Sequence, residues 1–473
     1  MSRSGWRLVT ALLLVGAVGC AVVAVLATGA ASGGARGATL ATPLWSPRRV
    51  PTLLVDAVGA QRLQVALDEE LSGEPQSCYV VAEGAEPIAT HNPTTPLVPA
   101  STNKLLTATA AIAILGPDFH FETKAVAQGP PVNGTVDHLW LVGAGDPVLS
   151  TDAFAAALQA SPATRGFATT SMDQLANSIV AAGVKSIPGG IIGDDSRYDQ
   201  QRYVPTWPAD DRTDPQIGPL GALTVDDGYV LANGAVHPVA DPALFAAQTL
   251  SLLLAGKGVQ VGPASAHQAA PPGATTIGSV QSPTLHDILA SVLRSSDNLG
   301  AELVTKEIGV RTSGQGTTTA GVQGTLATLA KLGVPTAGVS LVDGSGLDHS
   351  DRVTCATLAS ILNLAATPRF QTILDGLPIA GEDGTLATRL QNTPLAGRLR
   401  AKTGTLQGVS GLAGLLDAGR PLRFALLANG NIPDDTSADA IRELFAAVLA
   451  TFPNAPPPDA LVPAPAPPAP ARG

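Results

Sequence analysis

Three short polar motifs, set far apart, constrain this chain more than anything else in it. Ser101-Thr102-Asn103-Lys104 is the only S-x-x-K in the sequence, and it falls where loop becomes helix, just after Pro99-Ala100. Ser296-Asp297-Asn298 lies within a helical segment, and Lys402-Thr403-Gly404-Thr405 opens a strand. Each alone has a bland explanation: a helix N-cap, a local turn, a polar strand entry. The chain holds only seven lysines in 473 residues, so two of them in motifs of this kind, in this order, outweigh those explanations. Ser101 and Ser296 are 195 residues apart, and Ser296 and Lys402 are 106 apart.

The residue types make chemical sense together. Residues i and i+3 share one helix face, so Lys104 can reach the Ser101 hydroxyl. A serine hydroxyl is a weak nucleophile until a base takes its proton. Lysine is a base only when neutral, which burial and a second nearby cation both favour. Lys402 is the expected second cation. Ser296 can relay a proton to a leaving amine, and Asn298 can hold Lys104 and a substrate amide. The backbone amides of Ser101 and Thr405 are the candidates for an oxyanion hole. Lys402, Thr403 and Thr405, with Gly404 between them, form a positive, hydroxyl-rich rim suited to a terminal carboxylate.

Around these motifs the chain divides by texture. Arg3 and Arg7 precede an apolar run from Leu8 to about Ala31, the pattern of an export signal. The run is also close to the length that spans a bilayer, so a cleaved signal and an uncleaved anchor both fit residues 1–31. Lipidation at Cys20 fits less well, because Ala17 stands where a large aliphatic residue is usual. Each option exports the rest of the chain to the cell envelope, with the membrane met only through this segment. Residues 32–59 read as a linker. Helical patterning over Ser101–Leu115 is stopped by Gly116-Pro117. Residues 123–280, with short strands and many Gly and Pro turns, read as inserted domains between core segments 60–122 and 281–452. Helical patterning runs from Thr284 to Ile308, and residues 453–473 are a Pro- and Ala-rich tail expected to be disordered.

At the three motifs the chain resembles the low-molecular-mass class C penicillin-binding proteins, which are D-alanyl-D-alanine carboxypeptidases and endopeptidases. Gly145-Asp146-Pro147 resembles the family's Gly-Asp-Pro turn. Gly193-Asp194-Asp195-Ser196 resembles its Asp-rich turn, and Asp343-Gly344-Ser345-Gly346-Leu347 its glycine-rich loop. Only Asp348-His349-Ser350-Asp351 departs, where a shorter polar turn is usual. The resemblance implies an α/β (α+β) core with a five-stranded antiparallel sheet and helices, interrupted by a large two-part insert after the first motif. It implies a serine acyl-enzyme acting on peptidoglycan stem peptides, with β-lactams as inhibitors and no cofactor. Ser101, Lys104, Ser296, Asn298 and Lys402 are the implied catalytic set. Thr403, Gly404, Thr405 and Leu347 are the implied substrate contacts, and Asp194 is a candidate partner for the amino group of a diaminopimelate-type side chain.

Composition and motif searches trim the alternatives. The formal net charge of −10 argues against nucleic-acid binding. The seven histidines are scattered without metal-ligand spacing, which argues against a zinc peptidase. A class A β-lactamase would lack the long insert and would need a Glu-x-x-Leu-Asn element, which is absent between Asn298 and Lys402. A non-catalytic wall-binding or β-lactam-sensing relative would be expected to carry a broken motif. Cys78 and Cys355 could pair in an oxidising compartment, and two separate buried thiols fit equally well.

Overall fold

The computed structural model describes residues 51–209, 216–232 and 235–454. The expected leader with Cys20, residues 32–50 of the expected linker and residues 455–473 of the expected tail lie outside the described residues. Among the described residues no helix is long and apolar enough to cross a membrane. The chain divides into two units, Met1–Val58 with Pro456–Gly473, and Gly59–Ala455. The second unit holds both large sheets and the helices packed on them.

The first helix, α1 (Pro51–Glu70), begins inside the stretch expected as linker. Proline suits the first turn of a helix, where its missing N–H costs nothing. The hairpin β1 (Gln76–Glu83) and β2 (Glu86–His91) comes after it. Residues Ala100–Asn103 form a 3₁₀ turn that runs into α2 (Lys104–Leu115), which Gly116 ends at φ 86°. The Ser101–Lys104 motif thus straddles a 3₁₀ turn and the first turn of an α-helix.

A second sheet comes next, from β3 (Glu122–Ala127) and β4 (Leu139–Val142) through helix α3 (Met172–Ala181) to β5 (Ile191–Asp194). Helix α4 (Pro242–Gly256), β6 (Ser265–Ala266) and β7 (Thr275–Gln281) complete it. Its strand order is β6-β5-β4-β3-β7. The first and last strands in sequence, β3 and β7, pair with each other antiparallel. The chain therefore re-enters the core next to where it left, which is what lets a long segment sit inside another fold without disturbing it. Leu175 and Ile179 of α3 and Ala246 and Leu250 of α4 bury against Leu139, Leu141 and Ile191 of this sheet. Residues 198–209 and 216–222 pack elsewhere. Tyr198, Val204, Trp207, Ile217 and Leu220 form a cluster with Leu299, Leu303 and Leu347 of the core.

The core resumes with α5 (Leu285–Ser295), α6 (Asn298–Ser313), α7 (Thr318–Lys331) and α8 (Cys355–Ala365). It closes with β8 (Leu399–Leu406), β9 (Val409–Asp417), β10 (Pro421–Asn429) and α9 (Asp435–Leu449). The five-stranded sheet runs β8-β9-β10-β1-β2, antiparallel throughout. Strand alternation sorts its two faces. Tyr79, Val81, Phe424 and Leu426 pack on α1 and α9 through Leu63, Leu67, Phe445 and Leu449. Cys78, Val80, Ala425 and Leu427 pack on the opposite helices. Cys78 and Cys355 form a disulfide that ties β1 to the start of α8 across 277 residues.

Two local expectations change. The helical pattern from Thr284 to Ile308 is two helices, broken at Ser296, which adopts the left-handed conformation at φ 63°, ψ 34°. The apolar stripe runs on through the break, from Val292 and Leu293 to Leu299 and Leu303, so periodicity could not register it. Lys402-Thr403-Gly404 does not open its strand but sits in the middle of β8, because the residues before it already pair with β9.

Candidate active site

The three motifs converge on a cleft of about 670 Å³ beside β8, the edge strand. Ser101, Ser296, Asn298, Leu347, Thr403 and Thr405 line it. Lys104 and Lys402 are almost fully buried behind that wall. Gly404 lies where β8 passes the turn that carries Ser101: a Cβ there would stand 2.7 Å from the Pro99 carbonyl oxygen. Gly346 meets the same turn from the other side, where a Cβ would stand 2.0 Å from the Ala100 oxygen. Ser101 is thus clamped between β8 and the glycine-rich loop.

Lys104 Nζ donates to three oxygens: Ser101 Oγ at 2.9 Å, Asn298 Oδ1 at 2.6 Å and the Ser345 carbonyl at 2.8 Å. The Asn298 amide is oriented by its other end, since Nδ2 donates to the Gln216 carbonyl at 2.8 Å. Gln216 belongs to the insert, which therefore takes part in setting the geometry of the core's motif. The Ser345 carbonyl is presented by a loop that Glu302 holds. One Glu302 oxygen accepts from the amides of Gly344 and Ser345, at 2.9 and 2.7 Å. Asp343 secures the same loop by accepting from Gly346 N at 2.6 Å, Asp348 N at 2.9 Å and Trp207 Nε1 at 2.7 Å.

On the opposite side, Lys402 Nζ donates to Ser296 Oγ and to the Thr403 carbonyl, each at 2.9 Å. The left-handed backbone at Ser296 puts this residue in a conformation that ordinarily costs a non-glycine residue about 1–3 kcal/mol. Its hydroxyl meets a lysine of the edge strand rather than a neighbour on its own helix. Thr403 Oγ1 pairs with Thr385 Oγ1 at 2.9 Å.

The electrostatics of the two lysines differ from expectation. Burial lowers the Lys104 ammonium from 10.5 to about 8, while Asp343, Asp297 and Glu302 pull it back up. Lys402 is pushed well below its ordinary value, by burial first and then by Lys104 and Arg442. Burial, and not a second cation, is thus the leading cause of the lowering at Lys104, and the mutual repulsion of the two lysines falls on Lys402. The surroundings of Lys104 are anionic, whereas Lys402 faces cations. Burial, with Asp343 adding, also raises Glu302 to about 8.

Asp194 is 5 % exposed in the insert's sheet and is not among the residues that line the cleft. Its carboxylate accepts from Ser196 N at 3.0 Å and Ala270 N at 2.8 Å. These bonds make it the fastening of a turn. Residues that sequence reasoning passed over include Gln216 and Ser345, which act through backbone carbonyls and so leave no side-chain signal. Arg442, on α9, also lines the cleft, and among many surface arginines nothing in its sequence context marked it. Among the described residues no cluster of His, Cys, Asp or Glu is arranged to hold a metal ion.

Comparison with known proteins gives a consistent result. Residues 60–237 and 231–451 match the D-Ala-D-Ala carboxypeptidase 3 (S13) family. A D-alanyl-D-alanine carboxypeptidase of Actinomadura sp. is 29 % identical, covering 90 % of this chain and 92 % of its own. A carboxypeptidase of Mycobacterium tuberculosis is 34 % identical, covering 72 % of this chain and 73 % of its own. Penicillin binding protein 4 of Haemophilus influenzae has the same fold, with a TM-score of 0.66 at 22 % identity over 81 % of this chain and 99 % of its own. That protein has also been solved in complex with a β-lactam.

Proposed function

Because the chain belongs to the D-Ala-D-Ala carboxypeptidase 3 (S13) family, as a low-molecular-mass class C penicillin-binding protein and serine-type D-Ala-D-Ala carboxypeptidase, we propose that it works through an acyl-enzyme on Ser101. One observation carries this reading. Of the three oxygens around Lys104 Nζ, the Asn298 amide oxygen and the Ser345 carbonyl can only accept. A neutral amine has two hydrogens, and those two oxygens take both. Its lone pair is then left facing Ser101 Oγ, 2.9 Å away. The site thus orients Lys104 as a base whenever it is neutral.

In the proposed reaction Ser101 Oγ attacks the carbonyl of the penultimate D-alanine of a peptidoglycan stem peptide while Lys104 takes its proton. The oxyanion forms between the amides of Ser101 and Thr405. The C–N bond breaks, and Ser296, held by Lys402, delivers a proton to the leaving amine of the terminal D-alanine and is reprotonated by the proton that Lys104 took, which leaves Lys104 neutral again. Water then attacks the ester and gives a proton back to the serine oxygen, which frees the enzyme. Thr403 and Thr405 receive the terminal carboxylate, and Leu347 lines the wall beside it. The same attack opens a β-lactam amide, so β-lactams are covalent inhibitors in this proposal. A cross-linked D-alanyl bond offers the same chemistry, so endopeptidase activity belongs to the proposal. The substrate lies outside the cytoplasm, and the Cys78–Cys355 disulfide fits such an oxidising compartment. This agrees with an exported chain held at the envelope, the N-terminal segment being its only contact with the membrane.

The test is labelling with a fluorescent penicillin followed by peptide mass mapping. The adduct is expected on Ser101, and Ser101→Ala should abolish labelling while leaving the circular dichroism spectrum unchanged. An adduct on any other serine would overturn the assignment.

A further inference from the structure

Thr405 stands on the cleft wall with its hydroxyl already engaged from behind. Arg442 Nη1 donates to Thr405 Oγ1 at 2.8 Å and to the Gly404 carbonyl at 2.8 Å. Arg442 is 6 % exposed on α9. Its other terminal nitrogen is tied to Asp439, which also holds Arg389. The guanidinium therefore has a fixed seat under the edge strand.

A guanidinium carries donors only. Toward Arg442 the Thr405 oxygen can act only as acceptor, so the hydroxyl hydrogen must be given elsewhere. Thr405 lines the cleft, so the open direction is the cleft. Thr403 has no such constraint, because its partner Thr385 is another hydroxyl and either can donate. The bond to Gly404 adds a second effect. In a trans peptide the C=O and N–H point opposite ways. With the Gly404 oxygen held by Arg442, the Thr405 N–H of the same peptide is turned away from α9.

We propose that Arg442 is a positioning residue that makes the Thr405 hydroxyl an obligate donor into the cleft, and that this selects substrates ending in a carboxylate. The inference rests on the reading that Thr403 and Thr405 receive the terminal carboxylate. A hydrogen bond to a charged acceptor is worth about twice a neutral one, so a fixed donor favours carboxylate over its uncharged amide. A free threonine hydroxyl could turn either way and would lose part of that preference.

The test uses the full chain and two peptides, one ending in D-Ala-D-Ala and the same peptide ending in D-Ala-D-Ala-amide. Arg442→Gln places a carbonyl where Thr405 can turn its hydrogen inward, whereas Arg442→Lys keeps a donor-only group. The glutamine variant should lose about ten- to a hundredfold in kcat/KM on the carboxylate peptide and less than about threefold on the amide. The lysine variant should keep most of the wild-type preference. Thr405→Val should cause the same loss, and Arg442→Gln should add little to it. Equal losses on both peptides, equal behaviour of the Gln and Lys variants, or additive losses with Thr405→Val would each overturn the proposal. If the wild-type chain cleaves neither peptide and takes no penicillin, the functional reading itself fails, whatever Arg442 does.

Discussion

If Lys104 takes the Ser101 proton, acylation must follow the neutral fraction of that lysine. Burial brings its pKa from 10.5 to about 8. At pH 7 this raises the neutral fraction from about 0.03 % to about 9 %, roughly 300-fold. The logarithm of the acylation rate should therefore climb with a slope near one and level off near pH 8. Asp297 is one of the carboxylates that favour the ammonium form. Asp297→Asn removes an anion and disfavours the charged lysine, so the break should move down by about one pH unit. At pH 7 the variant should then be about fivefold faster than the wild type, with the same plateau at high pH. The assay is stopped-flow acylation by a chromogenic β-lactam from about pH 5.5 to 9.5, with circular dichroism as a check on folding. A wild-type profile without a break near 8, or a break in Asp297→Asn that stays or rises, would refute the reasoning. Lys104→Arg should be nearly inactive throughout, because guanidinium cannot give up a proton in this range. An active Lys104→Arg enzyme would pass the role of base to Ser296 and Lys402.

Packing sets the outcome of three other substitutions. Gly346→Ala should lower acylation at least tenfold and stability by about 2 kcal/mol or more. Its φ is 84° and its Cβ would strike the carbonyl just before Ser101; normal acylation and melting would rule out the clamp. Removing the Cys78–Cys355 bridge by paired alanines should cost about 2–5 kcal/mol in denaturant unfolding, and reduced wild type should behave alike. Asp194→Asn should leave the ratio of cleavage of amino-bearing and amino-lacking peptides at the wild-type value. It should cost about 1 kcal/mol of stability, since an amide can accept only one of the two backbone bonds; a changed ratio would return Asp194 to the cleft.

The residues of the three motifs that meet in the cleft could be picked out in the sequence because motif chemistry is local. A serine three residues before a lysine on a helix start can be read without knowing what faces it, and the order of the three motifs carried the family and the interrupted core. The break at Ser296 was not legible, since one left-handed residue leaves the apolar stripe of both flanking helices in phase. Tertiary structure alone decided what lowers each lysine from its ordinary value. Desolvation and the carboxylates of Asp297, Glu302 and Asp343 come from segments brought together only by folding. It also decided what Asp194 touches, because an acidic turn reads the same in sequence whether it faces a ligand or two backbone amides. Gln216, Ser345 and Arg442 entered the site for a related reason. The first two contribute backbone carbonyls and the third reaches Thr405 across the face of a sheet, and such contacts exist only once strands and helices have packed.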